Sequence, residues 1–139
     1  MTADMNTEKP KTKILIVEDE PSLADIYSMA LRAGGFEAVE AHDGVEGLEA
    51  ALRVEPALIL LDLIMPNKDG FELLRDLKSN PKTRGIPVII LSNLGQDYEV
   101  KRGMALGAEM FLVKTNIEPT YLVDRVRKTL AGGAGPRRA

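Results

Sequence analysis

The sequence predicts an α/β fold, a doubly wound parallel sheet of five strands with helices on both faces. Three observations carry this. Four apolar runs, Ile14–Val17, Leu58–Leu61, Val88–Leu91 and Met110–Val113, are too short for helices and rich in Ile, Leu and Val. Each is apolar at every position, as strands covered on both faces must be. Segments of helical period fill the gaps between them. Strand and helix therefore alternate five times, and right-handed crossovers turn that alternation into a sheet wound in both directions.

The elements follow in order. Met1 to about Thr12 is polar and is expected to form a disordered N-terminal tail, with one domain over residues 13–131. After the first strand, Pro21 suits a first helical turn, and Leu23, Ile26, Tyr27, Ala30 and Leu31 are expected on one inward face. Gly34-Gly35 ends that helix. Glu37–Ala41 alternates polar with apolar and reads as an edge strand. Asp43 can cap a second helix whose Val45, Leu48 and Leu52 are expected to face inward. A third helix carries Phe71, Leu74 and Leu77 and stops before Pro81. A fourth, roughly Gln96–Leu106, is polar, contains Gly103 and is expected to be the least stable. A fifth starts near Pro119 and presents Leu122, Val123, Val126 and Leu130. The run GGAGPRRA over residues 132–139 is expected to be a flexible C-terminal tail.

Composition narrows the function. At 139 residues the chain suits one domain with a core that needs no covalent staples. With no cysteine it has neither disulfides nor thiolate chemistry, which fits a cytoplasmic protein. A net charge of −3, no Trp and six aromatic residues argue against direct nucleic-acid binding. The polar N-terminus is no secretory signal, and no run reaches the ~18 apolar residues of a membrane span.

Ligands of such sheets bind beyond the carboxyl ends of the strands. The first strand ends in Glu18-Asp19, the third in Asp62, the fourth in Ser92 and the fifth in Lys114. Crowded carboxylates raise one another's pKa unless a cation lies between them. Hard oxygen ligands with room for waters and phosphate suit Mg²⁺. Taken singly, Glu18 or Asp19 serves equally well as a strand end or helix cap and Asp62 less well, while Lys114 reads better as a snorkelling surface cation and Ser92 as a loop hydroxyl. Taken together, a metal on one side and an ammonium on the other can neutralise a phosphoryl group on a nucleophilic carboxylate, with a hydroxyl bonded to its oxygens. No GxxxxGK[ST] loop and no GxGxxG follow a strand, and the lone His42, read as a surface residue, makes no convincing triad with Ser92.

At these residues the sequence resembles the receiver domains of bacterial two-component response regulators, over about Lys13 to Leu130. The motifs are Ile14-Leu15-Ile16-Val17-Glu18-Asp19-Glu20, Leu61-Asp62-Leu63-Ile64-Met65-Pro66-Asn67-Lys68-Asp69-Gly70, Leu91-Ser92 and Phe111-Leu112-Val113-Lys114. The resemblance implies a flavodoxin-like (βα)5 fold with strand order 2-1-3-4-5. It implies Asp62 as phosphoacceptor, and Mg²⁺ (Mn²⁺ as a substitute) held directly by Asp19, Asp62 and the backbone carbonyl of Ile64, with Glu18 acting through a bound water. Ser92 and Lys114 would hold the phosphoryl group, and Ser92 and Phe111 would act as a switch. The implied donor is a histidine kinase or histidine phosphotransfer protein. A downstream protein would meet the surface of helix 4, strand 5 and helix 5, with the chain a monomer or a phosphorylation-dependent homodimer. The chain would assist its own phosphoryl transfer without being a multi-substrate enzyme.

Three departures from the family pattern carry expectations of their own. Thr115 stands where receivers usually have a proline after the lysine, so a trans Lys114–Thr115 bond and a rearranged loop are expected. Ile64 and Leu94, two residues past Asp62 and Ser92, put apolar side chains where polar ones would orient an attacking water, and Asn93 replaces a smaller residue; slow autodephosphorylation is expected. Only GGAGPRRA follows the fifth helix, which fits a stand-alone receiver and a fragment of a longer regulator equally. A metal-dependent phosphatase would want a second acid at Ile64, a pseudo-receiver would lack Asp62 or Lys114, and a flavin binder would want a Ser/Thr/Gly-rich loop in place of Glu18-Asp19-Glu20-Pro21.

Overall fold

A computed structural model describes residues 10–65, 68–93 and 96–132. The chain alternates β1 (Lys13–Val17), α1 (Pro21–Ala33), β2 (Glu37–Ala41), α2 (Gly44–Val54), β3 (Leu58–Leu61), α3 (Gly70–Ser79), β4 (Val88–Ser92), α4 (Asp97–Ala105), β5 (Met110–Val113) and α5 (Pro119–Ala131). All strand pairs are parallel, and the sheet order is β2-β1-β3-β4-β5, as the resemblance implies. The flavodoxin-like α/β class stands. Residues 1–9 and 133–139, which make up most of the two expected tails, lie outside the described residues.

The three central strands split their side chains between two cores. Leu15, Val17, Ile59, Leu61, Val88 and Ile90 pack with Ala50 and Ala51 of α2 and Leu73, Leu74 and Leu77 of α3. Ile14, Ile16, Leu58, Leu60, Ile89 and Leu91 pack with Ala24, Tyr27 and Leu31 of α1 and Leu122, Val123 and Val126 of α5. This is why those strands read as unbroken apolar runs: both faces are covered. β2 is one edge, as its alternation indicates. The other is β5, half-buried at all four positions.

The helix boundaries follow local chemistry. Pro21 and Pro119 open α1 and α5, where a missing N–H costs nothing. Asp43 accepts a 2.7 Å hydrogen bond from the Glu46 amide at the start of α2. Asp69 does the same for Glu72 in α3 at 2.9 Å. Gln96 and Glu99 form a reciprocal capping box on α4. Gly34 closes α1, and Gly35 takes a φ of 97°, open to glycine without strain.

Two helix faces differ from expectation. Val45 is 54% exposed and Ile26 47% exposed, so neither belongs to an inward face. In α2 the buried stripe consists of Gly44, Gly47, Ala50 and Ala51, small residues that bring the helix close to its neighbours. Leu48 and Leu52 lie half-buried at its margin. In α1 the buried stripe runs Ala24, Tyr27, Ser28 and Leu31, turned away from Ile26. Ser28 is buried because its hydroxyl donates to Glu40 Oε2 of β2 at 2.6 Å. No helix among the described residues is long and apolar enough to cross a membrane.

Candidate functional site

Strand register assembles the acidic rim. Val17 pairs with Leu61, so the next residues, Glu18 and Asp62, leave adjacent strands side by side. The Asp62 amide donates to the Val17 carbonyl at 3.0 Å and the Glu18 amide to the Ala41 carbonyl at 2.9 Å, which carries the ladder one residue past the strands and fixes where both side chains emerge. Glu18 and Asp62 are buried, whereas Asp19 is exposed. One carboxylate oxygen from each of Glu18, Asp19 and Asp62 lies within 4.8 Å of the others. On β4, Ser92 is fully buried and pairs with Val113, so Lys114 follows directly after that pair.

Lys114 enters the rim as its cation. Its Nζ lies 2.8 Å from Glu18 Oε1 and 3.3 Å from Asp62 Oδ2. The remaining oxygens are spoken for by backbone: Glu18 Oε2 accepts from the Glu20 amide at 3.1 Å, and Asp62 Oδ1 from the Ile64 amide at 3.4 Å. No cis peptide bond occurs among the described residues, so Lys114–Thr115 is trans as expected, and Lys114–Asn116 forms a turn of 3₁₀ helix.

One ammonium does not balance this many acids. Burial pushes the Asp62 carboxyl above its ordinary pKa, against the pull of Lys114, and the charge of Asp19 adds to the rise. Burial likewise raises Glu18, opposed by its hydrogen bond from Lys114 and reinforced by Asp62. Burial depresses Lys114, yet Glu18 and Asp62 outweigh it and hold that amine above its ordinary value. The rim is a desolvated anionic pocket with its own ammonium, and it retains an electrostatic deficit that a further cation relieves. The donor set, all carboxylate oxygen with the backbone near Ile64 beside it, fits a hard divalent ion such as Mg²⁺.

The structure brings Glu18, Asp19, Asp62 and Lys114 together and places Ser92 at the end of the adjoining strand. Ile64, two residues past Asp62, turns its side chain outward at 58% exposure. Phe111 lies three residues before Lys114 on β5, half-buried, its ring 3.4 Å from where a Cβ on Gly103 of α4 would stand. Leu94 falls outside the described residues. His42 is more than a surface residue: its Nδ1–H donates to the Glu18 carbonyl at 3.0 Å, tying the end of β2 to the end of β1. Its place directly after β2, level with the acids after β1, was the available signal. None of Glu18, Asp19, Asp62, Ser92 and Lys114 lines the cavities of about 370 Å³ at Lys78 and Arg84 and about 460 Å³ at Phe111 to Tyr121, though Phe111 lines the second.

Comparison with known proteins agrees with this geometry. The family model for the response regulator receiver domain matches residues 14–127. The chain is 36% identical over 118 residues to the DNA-binding dual master transcriptional regulator RpaA of Synechocystis, covering 85% of this chain and 48% of that protein. It is 34% identical over 120 residues to the DNA-binding response regulator MtrA of Mycolicibacterium smegmatis, covering 86% and 51%. The chain thus spans about half the length of those relatives. Among solved structures, a response regulator from Chloroflexus aurantiacus superposes with a TM-score of 0.81 at 32% identity, covering 88% of this chain and 99% of that one. The chemotaxis protein CheY4 of Vibrio cholerae superposes with a TM-score of 0.79 at 28% identity, covering 85% and 98%. A sheet in the order β2-β1-β3-β4-β5, an acidic rim at its carboxyl edge and a family match over nearly the whole described chain lead to one conclusion: the chain belongs to the receiver domain family of two-component response regulators.

Proposed function

We propose that this receiver accepts a phosphoryl group onto Asp62 from the phosphohistidine of a histidine kinase or a histidine phosphotransfer protein, in a reaction that requires Mg²⁺. The observation that carries the reading is the environment of Asp62: a buried carboxylate with Lys114 Nζ at 3.3 Å and two further carboxylates close by. A carboxylate oxygen of Asp62 attacks phosphorus, the P–N bond breaks, and the electron pair leaves with the imidazole nitrogen, which takes a proton. Asp19, Asp62 and the Ile64 carbonyl would hold the ion directly. Glu18, whose oxygens already meet Lys114 and the Glu20 amide, would act through a water. When bound, the ion supplies positive charge against the phosphoryl oxygens and the three acids. Lys114 places its ammonium where those oxygens arrive, and Ser92 offers a hydroxyl from the next strand. A phosphohistidine donor of this kind places the chain in the cytoplasm.

The phosphoryl group carries roughly −1.5 to −2 charges and brings three acceptor oxygens to the rim, while the Asp62 carboxylate gives up its own negative charge. Ser92 and Lys114 would respond at the ends of β4 and β5, and Phe111 of β5 packs beside Gly103 of α4. On this reading the surface of α4, β5 and α5 meets a downstream protein or a second copy. Tyr98 and Tyr121 are exposed there, and Tyr121 lines a cavity with Phe111, Val113 and Ile117.

Three outcomes test the reading. Incubation with acetyl phosphate and Mg²⁺ should add the mass of one phosphoryl group; no gain, or the same gain in Asp62→Ala, would sink it. The second outcome concerns stability. Asp62 and Glu18 have folded pKa values above their ordinary ones, so their stabilising contribution is complete below the unfolded pKa and is lost as pH rises through the raised value. At neutral pH without metal, Asp62→Asn should therefore melt higher than the unsubstituted chain by about 2–6 °C. That advantage should shrink as pH falls toward the ordinary carboxylate range near about 4, and Mg²⁺ should raise the unsubstituted chain more than the variant. A variant that melts lower at neutral pH without metal contradicts the account. Third, Ile64→Asn combined with Leu94→Glu should shorten the lifetime of the phosphorylated protein about tenfold or more, within the range a positioned acid–base group supplies; an unchanged lifetime removes the water-access argument.

A further inference from the structure

The connection between β3 and α3 carries Ile64, whose carbonyl completes the proposed metal site, and it is held at both ends by glycine. At its base, a Cβ on Gly70 would lie 2.4 Å from the Asp62 carbonyl oxygen and 2.5 Å from Leu63 Cα, and the Gly70 amide donates to the Leu63 carbonyl at 2.9 Å. At its far end, Lys68 rests against a different element. A Cβ on Gly44, the first residue of α2, would lie 2.2 Å from the Lys68 carbonyl oxygen and 2.6 Å from Lys68 Cβ. Ordinary carbon contacts begin near 3.4 Å, so any side chain at position 44 displaces the Lys68 backbone or the helix. The opposite side of Lys68 is closed as well, because its ammonium pairs with Asp76 of α3.

Gly44 is not there for its backbone conformation. Among the described glycines, positive φ is confined to Gly35 and Gly107, so Gly44 has a φ that alanine adopts readily, and alanine is the better helix former. Helix propensity therefore favours alanine at this position, and only the approach of Lys68 opposes it. That conflict of signs separates a role in holding the connection from a role in the helix.

We propose that Gly44 is a positioning residue for the metal site: by leaving room for the Lys68 backbone, it sets where Lys68 rests and, through Gly70, whose amide holds the Leu63 carbonyl, where Ile64 presents its own. The inference rests on the reading of Glu18, Asp19, Asp62 and Ile64 as an Mg²⁺ site and adds to it a residue that none of the site's own motifs contains. Gly85, around which nothing lies within 4 Å of a built Cβ, is the matched control.

The test is calorimetric titration of the full chain with Mg²⁺, together with amide resonances of the metal-free protein. Gly44→Ala should weaken Mg²⁺ binding about tenfold, the scale seen when a support behind a metal ligand is lost. It should shift the amides of Ile64 and Lys68 before any metal is added and lower the melting temperature by about 3–10 °C, as overpacking against backbone does. Gly85→Ala should leave affinity and those amides unchanged. Should Gly44→Ala fail to fold, Lys68→Met decides. Freeing Lys68 from Asp76 should weaken Mg²⁺ binding by about two- to fivefold for an ion pair of this exposure. Absence of Mg²⁺ binding in the unsubstituted chain overturns the metal-site reading and this inference with it. Binding of Mg²⁺ by Gly44→Ala as tight as by the unsubstituted chain, or by Lys68→Met where that variant decides, overturns this inference alone.

Discussion

The confinement of Glu18, Asp19 and Asp62 around a single ammonium is the constraint on which the rest of the structure depends. Carboxylates repel at the separations found here, and burial of Glu18 and Asp62 strengthens that repulsion by removing water. Left to themselves such side chains would turn outward. They cannot, because the backbone beneath them is committed: the amides of Glu18 and Asp62 extend the ladders of β1 with β2 and of β3 with β1. Two apolar cores, one on each face of the sheet, hold those strands in register. The hydrophobic energy of the fold thus maintains an electrostatically unfavourable cluster, as functional sites commonly require. Lys114 offsets part of it from β5, the edge strand, so a change in charge at Asp62 is felt directly at the edge of the sheet.

On the proposed reading α4 carries the response outward, and it is the helix with few buried residues. Among its described residues only Glu99 and Gly103 are buried. It is held by Gly103, pressed against Ile90 and Phe111, and by Arg102, whose guanidinium lies 4.1 Å from the centre of the Phe71 ring on α3. A cation–π contact of this exposure contributes about 0.5–1 kcal/mol, comparable with the differences that separate alternative helix positions. Beside Gly103, Met104 packs against the core from α4, so the contact is narrow and a shift of the helix would disturb little of it.

Most of this was legible in the sequence because the signals were redundant. The central strands are covered on both faces and so leave unbroken apolar runs; the site residues stand directly after those runs, and parallel strands must end at one rim. What the sequence could not reveal depended on tertiary approach. Val45 and Ile26 fit an apolar stripe as well as their neighbours do, but α2 docks through Gly47, Ala50 and Ala51 and α1 through Ala24, Tyr27 and Leu31, so each helix is turned away from its larger residue. Nothing in the sequence marks Gly44 and Gly70 as the places where the backbones of Lys68 and Asp62 press close. His42 read as a surface residue because its partner, the Glu18 carbonyl, belongs to another strand and is a backbone atom.

The central claim is that the acids at the ends of β1 and β3 form one cation site built around Asp62. Replacing Mg²⁺ with paramagnetic Mn²⁺ and mapping the broadening of amide resonances over the full chain tests it most directly. The account predicts broadening centred on Glu18 to Glu20 and Asp62 to Ile64, abolished in Asp19→Asn. Broadening centred elsewhere, for example on the acidic groove of Glu40, Glu46 and Glu49, or unaffected by Asp19→Asn, would contradict it.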